Sequence, residues 1–566
     1  MQLLQVEVGG IQNYIFEGAR LREWRGASAL LDRIERRDLP ELLEGEPAEI
    51  IRSGGGTLIL RTTEPLSEEE TKALARRAAA TYRREAPGAL TYSAAVDTES
   101  EPTDAISELL GHLSFAAART RGQHPGIASG AELLDPMARF CDSCGERPAE
   151  EHRTLGDTAE LVCRACAAKG SHGRKVRRGQ APESLISRFG TFLKGGASDG
   201  GPRDDGAPGA WQSIEDVPGL VPGDLTEIGA VDESGEIAVI AADGNRLGAT
   251  IQMINDLEAY RSFSSGIAAL VTESVFSALA ALAPPRTPGR GAEARLPWEI
   301  IFLGGDDILL VTTADLTVPL TQRICEEVEQ RSRALFDRLG LERDFLSMAT
   351  GIAVADPHVP IGVLRRLAGD LEGRAKDRTY EAAEAGREVS TADFHRLTAS
   401  GTTTLQSIRS TELRPRRHLE AVEAKLTMRP FTMEELREVT QLARRWLSAG
   451  LPGSKVQHLR EYLFESPAEA TRAWTHVVTR TKSEGARRAL QDLMRLGGES
   501  AASGSGAADI ATQGDGATGG DVVRVRAPWL GTEENVRRTY LLDVIELMEL
   551  VGAETPAREV SGQTAS

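Results

Sequence analysis

Two apolar runs separated by a short polar turn stand out in the middle of the chain. Residues 298–303 and 308–313 are rich in isoleucine, leucine, valine and phenylalanine, which are residue types that favour strands. The turn contains two glycines, which accept backbone angles that other residues resist. The pattern predicts a β-hairpin whose acidic tip is formed by Gly304, Gly305, Asp306 and Asp307.

The hydrophobic pattern around this hairpin predicts an ordered series of strands and helices. A strand at 236–242 and a helical stretch at 250–282 precede the hairpin, and a helix at 326–339, a strand at 348–355 and a helix at 361–387 follow it. This order, βαββαβ plus a helix, is the ferredoxin-like pattern. Nucleotide polymerases and cyclases use such a palm domain.

The same order recurs at the amino terminus, which indicates an internal duplication. The predicted segments are strands at 3–8 and 90–96, a hairpin at 50–61, and helices at 11–36, 68–84 and 103–120. In this first copy Gly54, Gly55, Gly56 and Thr57 occupy the place of the acidic turn. We therefore predict a degenerate palm that lacks metal-binding carboxylates and supports the second copy or binds nucleotide.

A third carboxylate is predicted to join the acidic turn. Asp243 directly follows the strand at 236–242, and an aspartate at a strand end can meet the tip of a neighbouring hairpin. Mg²⁺ is usually bound by one or two carboxylates together with substrate phosphates. Gly244 would let a backbone carbonyl approach the metal or a phosphate. The alternative is that both motifs are ordinary turns without a ligand.

Lys376 falls late in the last predicted helix of the second copy. Lysine is scarce in this arginine-rich chain, and its ammonium group is a compact point charge that suits a triphosphate. The alternative is a solvated lysine at a helix end, which spacing alone slightly favours.

Four cysteines form two C-x-x-C pairs between the two copies. Cys141 and Cys144 are separated from Cys163 and Cys166 by eighteen residues, which matches a four-thiolate zinc ribbon. Four thiolates leave no position for a zinc-bound water, so the predicted site is structural. The fifth cysteine, Cys325, is predicted to be packed in a helix, and one spare thiol suits a reducing compartment.

Together these features support a family comparison that covers nearly the whole chain. The chain resembles the large polymerase- and cyclase-like subunit of type III CRISPR effector complexes. The similarity is carried by residues 10–16 and 21–31, the triple glycine, the four cysteines, Asp243, the Gly-Gly-Asp-Asp turn, and residues 351–354, 375–376, 393–395, 426–432 and 541–547.

The resemblance implies an activity and assigns residues to it. When their complex binds target RNA, such subunits join ATP molecules through 3′–5′ bonds into cyclic oligoadenylates, which are second messengers of antiviral defence. Two Mg²⁺ or Mn²⁺ ions clamp the attacking 3′-hydroxyl and the α-phosphate. The metal-binding and catalytic roles carry onto Asp243, Asp306 and Asp307. The nucleotide-binding roles carry onto Gly304, Gly305, Gly244, Asn245 and Lys376.

Two departures from the family pattern change these expectations. Family members often have a second aspartate where Asn245 stands, which affects the detailed metal or base contacts. Many members also begin with a histidine-aspartate nuclease domain, whereas here the first palm starts within the first residues and no His-Asp dipeptide occurs. We therefore expect no single-stranded DNase activity from this chain.

The resulting fold prediction is an α+β multidomain protein with two ferredoxin-like palms, a zinc ribbon between them and a carboxy-terminal helical domain. Segments rich in glycine, alanine, serine or proline are predicted to be irregular. The predicted regions are a degenerate palm at 1–130, the zinc ribbon and a helical segment at 131–194, a flexible linker at 195–230, the second palm at 231–400, and a helical domain at 401–566 with a disordered insert at about 498–520.

Composition narrows the location and the partners. The net charge of −18 argues against broad, non-specific binding of nucleic acid. Local basic clusters at 174–178 and 414–418 are either contacts for guide RNA or partner subunits, or solvated loops. No apolar stretch long enough to span a bilayer and no signal peptide are recognised, so we predict a cytoplasmic protein without a membrane partner.

Two alternatives to the guided-cyclase reading remain open at this point. One is a structural subunit of the same complex whose palm domain no longer catalyses a reaction. A scaffold, however, has no need of mutually repelling carboxylates. The other is a stand-alone nucleotide cyclase of another defence pathway, which would need no guide RNA.

Overall fold

The computed structural model describes most of the chain as two compact units. The described residues are 2–97, 106–123, 139–155, 158–195, 209–212, 214–289, 291–397, 404–409, 413–417, 423–496, 509–513, 522–533 and 536–551. The first unit comprises Met1–Thr313, Arg323–Met348 and Asp356–Gly362, and the second comprises Ala314–Gln322, Ala349–Ala355 and Val363–Ser566.

Strands and helices are distributed along both units. The strands are β1 Gln2–Gly9, β2 Ala48–Gly54, β3 Thr57–Thr62, β4 Leu90–Asp97, β5 Glu151–Leu155, β6 Thr158–Val162, β7 Ile237–Gly244, β8 Trp298–Gly304, β9 Asp307–Thr313, β10 Met348–Ala355, β11 Thr391–Arg396, β12 Glu423–Lys425, β13 Phe431–Thr432, β14 Asp509–Gln513, β15 Val522–Arg526, β16 Leu530–Glu533 and β17 Val536–Arg538. The helices are α1 Ile11–Phe16, α2 Leu21–Arg33, α3 Leu39–Leu43, α4 Glu68–Glu85, α5 Ile106–Gln123, α6 Arg164–Arg177, α7 Leu185–Leu193, α8 Leu225–Gly229, α9 Leu247–Ile251, α10 Leu257–Leu282, α11 Thr317–Leu339, α12 Ile361–Glu384, α13 Met433–Ser448, α14 Gly453–Glu465, α15 Pro467–Arg480, α16 Glu484–Gln491 and α17 Leu541–Val551.

The amino-terminal sheet of the first unit has the strand order β2-β3-β1-β4. β1 pairs antiparallel with β3 on one side and with β4 on the other. Helices connect β1 to β2 and β3 to β4, which gives the βαββαβ connectivity of a ferredoxin-like unit. A capping box at Ser67 and Glu70 starts α4 and satisfies backbone N–H groups that the first helical turn leaves unpaired.

A second sheet region of the first unit carries the acidic hairpin. β9 lies between β7 and β8 and pairs antiparallel with both. Residues 237–242 of β7 are all buried, as expected for a strand covered on both faces. Ile301 is an extra residue in β8 that shifts the register between Ile300 and Phe302, and such bulges bend and twist a strand.

The long helix α10 packs as a core helix of the first unit. Its length and mean hydropathy of 1.6 would suffice to cross a membrane, and 61% of its most apolar stretch is buried inside the fold. The prediction that no apolar stretch reaches this length is therefore wrong. The side chains of Val271, Val275, Phe276 and Leu279 are fully buried, which accounts for the apolar composition of the helix.

Part of the predicted linker is packed structure. Trp211 is buried, its ring meets that of Phe189 edge to face at 5.3 Å, and its Nε1 donates to the carbonyl oxygen of Ala280 at 2.9 Å. Ile228 of α8 is also fully buried. The prediction of a flexible linker is therefore wrong for the described residues from Gly209 to 230, because a few apolar anchors outweigh the surrounding Gly and Pro content. Residues 196–208 lie outside the described residues.

The second unit combines a small sheet with a helical region. β11 pairs in parallel with β10 and antiparallel with β13. Gly351 of β10 lies so close to α12 that a Cβ atom there would come within 1.9 Å of the carbonyl oxygen of Ala368. Trp446 and Trp474, on α13 and α15, stack with ring centroids 6.3 Å apart. Helices thus make up most of this region, although β12 to β17 also contribute.

A buried ion cluster joins two segments that the family resemblance picked out. The guanidinium of Arg429 is fully buried, and it donates from Nε to Asp543 Oδ1 and from Nη2 to Glu546 Oε2, both at 2.7 Å. Its Nη1 donates to the carbonyl oxygen of Phe394 at 2.7 Å. Breaking such a cluster leaves an uncompensated buried charge, so these segments hold the second unit together.

The predicted insert at 498–520 contains regular structure in its described part. Residues 509–513 form β14, which pairs antiparallel with β15. The prediction of disorder is wrong for these five residues, because the valine-rich strand that follows the insert satisfies their backbone groups. The remaining residues of the insert lie outside the described residues, as does His418 of the second basic cluster.

Candidate active site

The acidic turn is a tight two-residue hairpin loop. Gly304 pairs with Asp307 across the turn, which leaves Gly305 and Asp306 as the loop residues. Gly305 has φ +70° and Asp306 does not have a positive φ, as a type II′ turn with glycine in its first central position requires. A Cβ atom at Gly304 would lie 2.2 Å from the ring of Phe302. Both positions therefore require glycine, and the loop places Asp306 at the tip.

Asp243 and Asp306 are brought together as predicted from the sequence. Their carboxyl groups share a hydrogen bond, and burial together with the charge of Asp243 raises the pKa of Asp306 to about 7. Two carboxyl groups this close cannot both ionise without a neutralising charge. The pair therefore holds a proton near neutral pH, and a cation placed between the two groups would replace that proton.

Gly244 allows the close approach of the two carboxyl groups. A Cβ atom at Gly244 would lie 2.9 Å from Cβ of Asp306 and 3.1 Å from its Oδ2. Any side chain there would therefore displace Asp306 from Asp243. This steric role differs from the predicted one, in which the backbone of Gly244 approaches a metal or a phosphate.

Asn245 provides an oxygen that fits a metal or its bound water. The residue is 1% exposed, its backbone N–H donates to the carbonyl oxygen of Ser347 at 2.9 Å, and its Nδ2 donates to Ser347 Oγ at 3.2 Å. Its Oδ1 is buried and has no hydrogen-bond partner among the described residues. Buried polar atoms are nearly always satisfied. An unsatisfied amide oxygen two residues after Asp243 matches the hard oxygen donors that Mg²⁺ prefers.

Asp307 and Lys376 are positioned by contacts with residues outside the Asp243–Asp306 pair. Among the described residues, Asp243, Asp306 and Asp307 do not form a compact group of three ligand atoms, as the four cysteines do. Asp307 starts β9 opposite Gly304. Lys376 belongs to the second unit, where its Nζ lies 3.0 Å from Glu372 one turn earlier on α12. The structure thus assembles Asp243 and Asp306 directly, while the roles of the other two stay predictions.

The glycine turn of the first copy is held by a buried carboxyl group that sequence reasoning missed. Gly54, Gly55 and Gly56 all have positive φ. The backbone N–H of Gly56 donates to Oε1 of Glu35 at 2.6 Å. Burial and the nearby Asp32 raise the pKa of Glu35 to about 7. No local signal marked Glu35, because it lies among other charged residues, such as Arg33 and Arg36, on and before the π-helical turn Ile34–Asp38 that follows α2.

The two glycine-containing turns touch each other. A Cβ atom at Gly55 would lie 3.8 Å from the backbone of Gly304, so the first turn packs against the loop that carries Asp306. Arg52, which the sequence analysis also missed, lowers the pKa of Asp306 through its charge, and its Nη1 lies 3.5 Å from the hydroxyl of Tyr260. The first copy therefore contributes a cation and a backbone surface to the acidic site.

The four cysteines lie together, away from the acidic site, in positions that could hold a metal ion. The Sγ atoms of Cys141, Cys144, Cys163 and Cys166 all lie within 4.8 Å of one another, and no disulfide joins them. The Sγ atoms of Cys144 and Cys163 are 3.9 Å apart. Zinc–sulfur bonds of about 2.3 Å give sulfur–sulfur distances of roughly 3.8 Å in a tetrahedron. Hydrogen bonds among these thiols lower the pKa of Cys144 and raise the pKa values of Cys163 and Cys166, because closely packed thiols cannot all ionise without a neutralising cation.

Sequence comparison identifies the segment that carries the acidic site. Residues 236–383 match the family model described as Cas10/Cmr2, second palm domain. This segment is therefore similar to the second palm domain of the Cas10/Cmr2 family. The family match includes Asp243, Asp306 and Asp307, and it confirms the recognition made from the sequence motifs. No curated protein sequence matches the chain.

Solved structures similar to this chain include the Csm1-Csm4 cassette with different ligands. The cassette in complex with cA4 is 13% identical, with a TM-score of 0.48, over 85% of this chain and 65% of that chain. The complex with cA3 is 15% identical (TM-score 0.43, 78% and 57% covered), and the complex with one ATP is 16% identical (TM-score 0.40, 67% and 53% covered). The chain thus spans less than two thirds of the length of these relatives.

Proposed function

We propose that this protein is the large subunit of a type III CRISPR effector complex and that it converts ATP into cyclic oligoadenylates when the complex binds target RNA. The observation that carries the proposal is the Asp243–Asp306 pair at the tip of a hairpin in a segment similar to a Cas10/Cmr2 second palm domain. A scaffold would not maintain two buried carboxyl groups that repel each other. A metal-dependent phosphoryl-transfer site requires such a pair.

The proposed metal ligands are carboxylate oxygens of Asp243 and Asp306, with Oδ1 of Asn245 as a direct ligand or a partner of a bound water. At these ligands, Mg²⁺ would supply activation of a 3′-hydroxyl and neutralisation of charge on the α-phosphate. Asp307 remains a candidate ligand at the start of β9, and Lys376 remains a candidate contact for a triphosphate.

The chain's own residues contribute position and charge. Gly244 sets the separation of the two carboxyl groups, and the two turns form a rigid backbone surface without side chains beside them. Arg52 supplies positive charge beside Asp306. Positioning and electrostatic stabilisation account for most of the rate in phosphoryl transfer. The first copy, in this proposal, is a palm that supports the active one and lines its nucleotide site.

The four-cysteine centre is proposed to hold structural Zn²⁺ between the two palms. Cys163 caps the start of α6, so the metal would fix the position of this helix. Fully buried Lys169 of the same helix contacts Glu17 Oε2 at 3.0 Å. The ribbon therefore anchors the segment around residues 10–31, which carried much of the family resemblance.

The decisive experiment measures product from the assembled complex. Purified complex is incubated with Mg²⁺ and each nucleoside triphosphate, with and without matching target RNA, and products are identified by mass spectrometry. We expect cyclic oligoadenylates from ATP only when target RNA is present. Asp306→Asn should abolish them without changing assembly, and Asp337→Asn, an exposed aspartate on α11, should not. An assembled, target-bound complex that makes no product would support the structural-subunit alternative, and product without RNA would support a stand-alone cyclase.

A further inference from the structure

A cleft of about 600 Å³ in the first unit is lined largely by arginines. It lies where the start of α2, the end of α6 and the loop before α8 meet. Its charged lining residues are Arg20, Arg22, Arg25, Arg174, Arg177, Arg178 and a single acid, Asp224. We call this feature the arginine cleft. Such a concentration of positive charge is unexpected in a chain of net charge −18.

Two of the six arginines have an acidic partner. Arg20 pairs with Glu160, and Arg25 forms a buried ion pair with Glu299 at 2.6 Å. Within the described part of the chain, no side-chain hydrogen bond or ion pair is formed by the other four, which are Arg22, Arg174, Arg177 and Arg178.

Asp224 does not offset this charge. Its Oδ1 accepts hydrogen bonds from the backbone N–H groups of Thr226 and Glu227 at 2.9 and 3.1 Å, so its carboxylate already serves as the cap of α8. Among the described residues, the cleft therefore carries four arginines without an ion-pair partner beside one occupied carboxylate. This excess of positive charge favours the binding of an anion.

Arg22 is built into the cleft rather than projecting from the surface. A Cβ atom at Gly173 would lie 2.1 Å from the carbonyl oxygen of Arg22 and 2.9 Å from its Cγ, and one at Gly26 would lie 1.8 Å from the carbonyl oxygen of Lys169. These glycines let α2 and α6 cross in close contact, which fixes the stem of Arg22. Its Nε and Nη2 atoms are nevertheless buried without a hydrogen-bond partner.

The surroundings of Arg22 are costly without a ligand. Burial, followed by the charges of Arg153 and Arg174, lowers the pKa of Arg22. In addition, α2 begins with no side-chain cap at Arg20, so the first backbone N–H groups of this thirteen-residue helix lack a side-chain acceptor. Positive helix termini and arginine forks both favour oxyanions.

The chemistry of the cleft identifies the class of ligand. Arginine presents planar N–H groups that match phosphate oxygens in pairs. Among the described residues, no aromatic side chain lines the cleft, so these residues offer no platform on which a base would stack. Contacts to phosphate without contacts to bases fix a nucleic acid in place without reading its sequence. A cleft of this volume is of the size that holds a small ligand, and so it accommodates one strand rather than a duplex.

We propose that the arginine cleft binds the phosphodiester backbone of a single-stranded nucleic acid. The cleft is separate from the acidic site. Arg25 contacts Glu299 near the start of β8, whereas Gly304 ends that strand five residues later. At about 3.3 Å per residue, the two points are roughly 17 Å apart. The cleft thus holds a strand at a distance from the carboxylates and does not deliver it to them.

The test measures binding of fluorescently labelled, mixed-sequence 15-nucleotide RNA and DNA to the full chain by anisotropy from 50 to 200 mM NaCl. One variant is Arg22→Gln. The second is Arg174→Glu with Arg178→Glu, and its matched control is Arg76→Glu with Arg119→Glu, two exposed arginines outside the cleft with the same change in charge. Unlabelled inorganic triphosphate serves as a competitor.

We expect at least tenfold weaker binding in both cleft variants and little change in the control. The slope of log affinity against log salt should fall by about 1.4 in the double variant, since each lost single-strand phosphate contact accounts for about 0.7. RNA tighter than DNA would show additional contacts to the 2′-hydroxyl, and equal affinities would show backbone contacts alone.

Three results would overturn the proposal. The first is an equal loss in the control variant, which would make net charge the cause. The second is that Arg22→Gln and the double variant, measured separately, both bind the nucleic acid as tightly as the parent protein. The third is displacement of RNA by inorganic triphosphate at an equal concentration of phosphate groups, which would identify a free polyphosphate site. Asp306→Asn should bind RNA normally, so the cleft and the proposed cyclase activity can fail independently.

Discussion

The two glycine turns of the first unit show how one backbone arrangement supports two different tasks. Both turns join antiparallel strands and both require positive φ at glycine. In the first turn a buried carboxyl group, Glu35, lies beneath the loop and accepts a hydrogen bond from it. In the second turn the carboxyl group of Asp306 is at the tip and faces Asp243. Moving the acid from beneath the loop to its tip changes a supporting turn into a candidate catalytic one.

The largest effects are expected when the acidic residues of the two turns are replaced one at a time. Asp243→Asn and Asp306→Asn should each lower the rate of product formation at least 100-fold, because metal coordination contributes several kcal/mol to phosphoryl transfer. Glu35→Gln should lower it by less than tenfold, since glutamine can still accept from Gly56. Initial rates of ATP consumption by the target-bound complex give both values. Comparable losses in all three variants would mean that the first turn takes part in chemistry.

A smaller effect is expected when the glycines are replaced. Gly56→Ala should destabilise the first unit by about 2–3 kcal/mol, because its positive φ is combined with a Cβ position 2.8 Å from Ile11 Cδ1. Gly305→Ala, with φ +70° and open space around it, should cost only about 1 kcal/mol.

Urea unfolding followed by hydrogen exchange in β3 and β9 measures these two losses. Gly111→Ala is the matched control, since this helical glycine on α5 has open space around it and alanine there should be neutral or slightly stabilising. A larger loss from Gly305→Ala than from Gly56→Ala would contradict the packing described for the two turns.

The pH dependence of metal binding should differ from that of an isolated carboxylate. The raised pKa of Asp306, about 7, means that a proton competes with the metal below neutral pH. Mg²⁺ affinity should therefore rise about tenfold from pH 6 to pH 8 and level off above it. Isothermal titration in buffers of different ionisation enthalpy would report release of close to one proton at pH 6. Affinity that stays constant over this range would show that the pair is already ionised.

A further predicted effect concerns the pH dependence of the stability of the first turn. The folded-state pKa of Glu35, about 7, lies above its usual 4.5, so folding favours the protonated form and stability falls as pH rises between these two values. Glu35→Gln should remove this fall and be more stable than the parent by about 1–3 kcal/mol at pH 8, with no advantage at pH 4. Urea unfolding at the two pH values provides the measurement.

Local patterns in the sequence predicted the main elements of the site. The alternation of apolar runs with glycine turns was sufficient for both hairpins, and the aspartate at the end of β7 was correctly placed beside the acidic turn. The four cysteines were predicted from spacing alone because thiolate ligands of a ribbon lie close together along the chain. In each case the relevant interaction is either local or fixed by the pairing of adjacent strands.

Interactions between distant segments could not be predicted in this way. The contact between Gly55 and Gly304 joins residues about 250 positions apart, and neither glycine carries a side chain that would indicate it. Arg429 with Asp543 and Glu546 was noticed only through resemblance, and the structure shows a buried ion cluster. The linker prediction was wrong around Trp211 because composition averages over a window, whereas one buried aromatic side chain suffices to order a loop.

Helix α6 connects two features that have no chemistry in common. Its first turn carries Cys163 and Cys166, and its last turn ends at the arginines of the cleft. Fourteen residues at about 1.5 Å each form a rigid rod of roughly 20 Å between them. Oxidation of the thiols or removal of their metal would release one end of this rod and loosen the arginines at the other. The redox state of the compartment would then set how firmly the protein holds a strand, without any change at the strand's own binding groups.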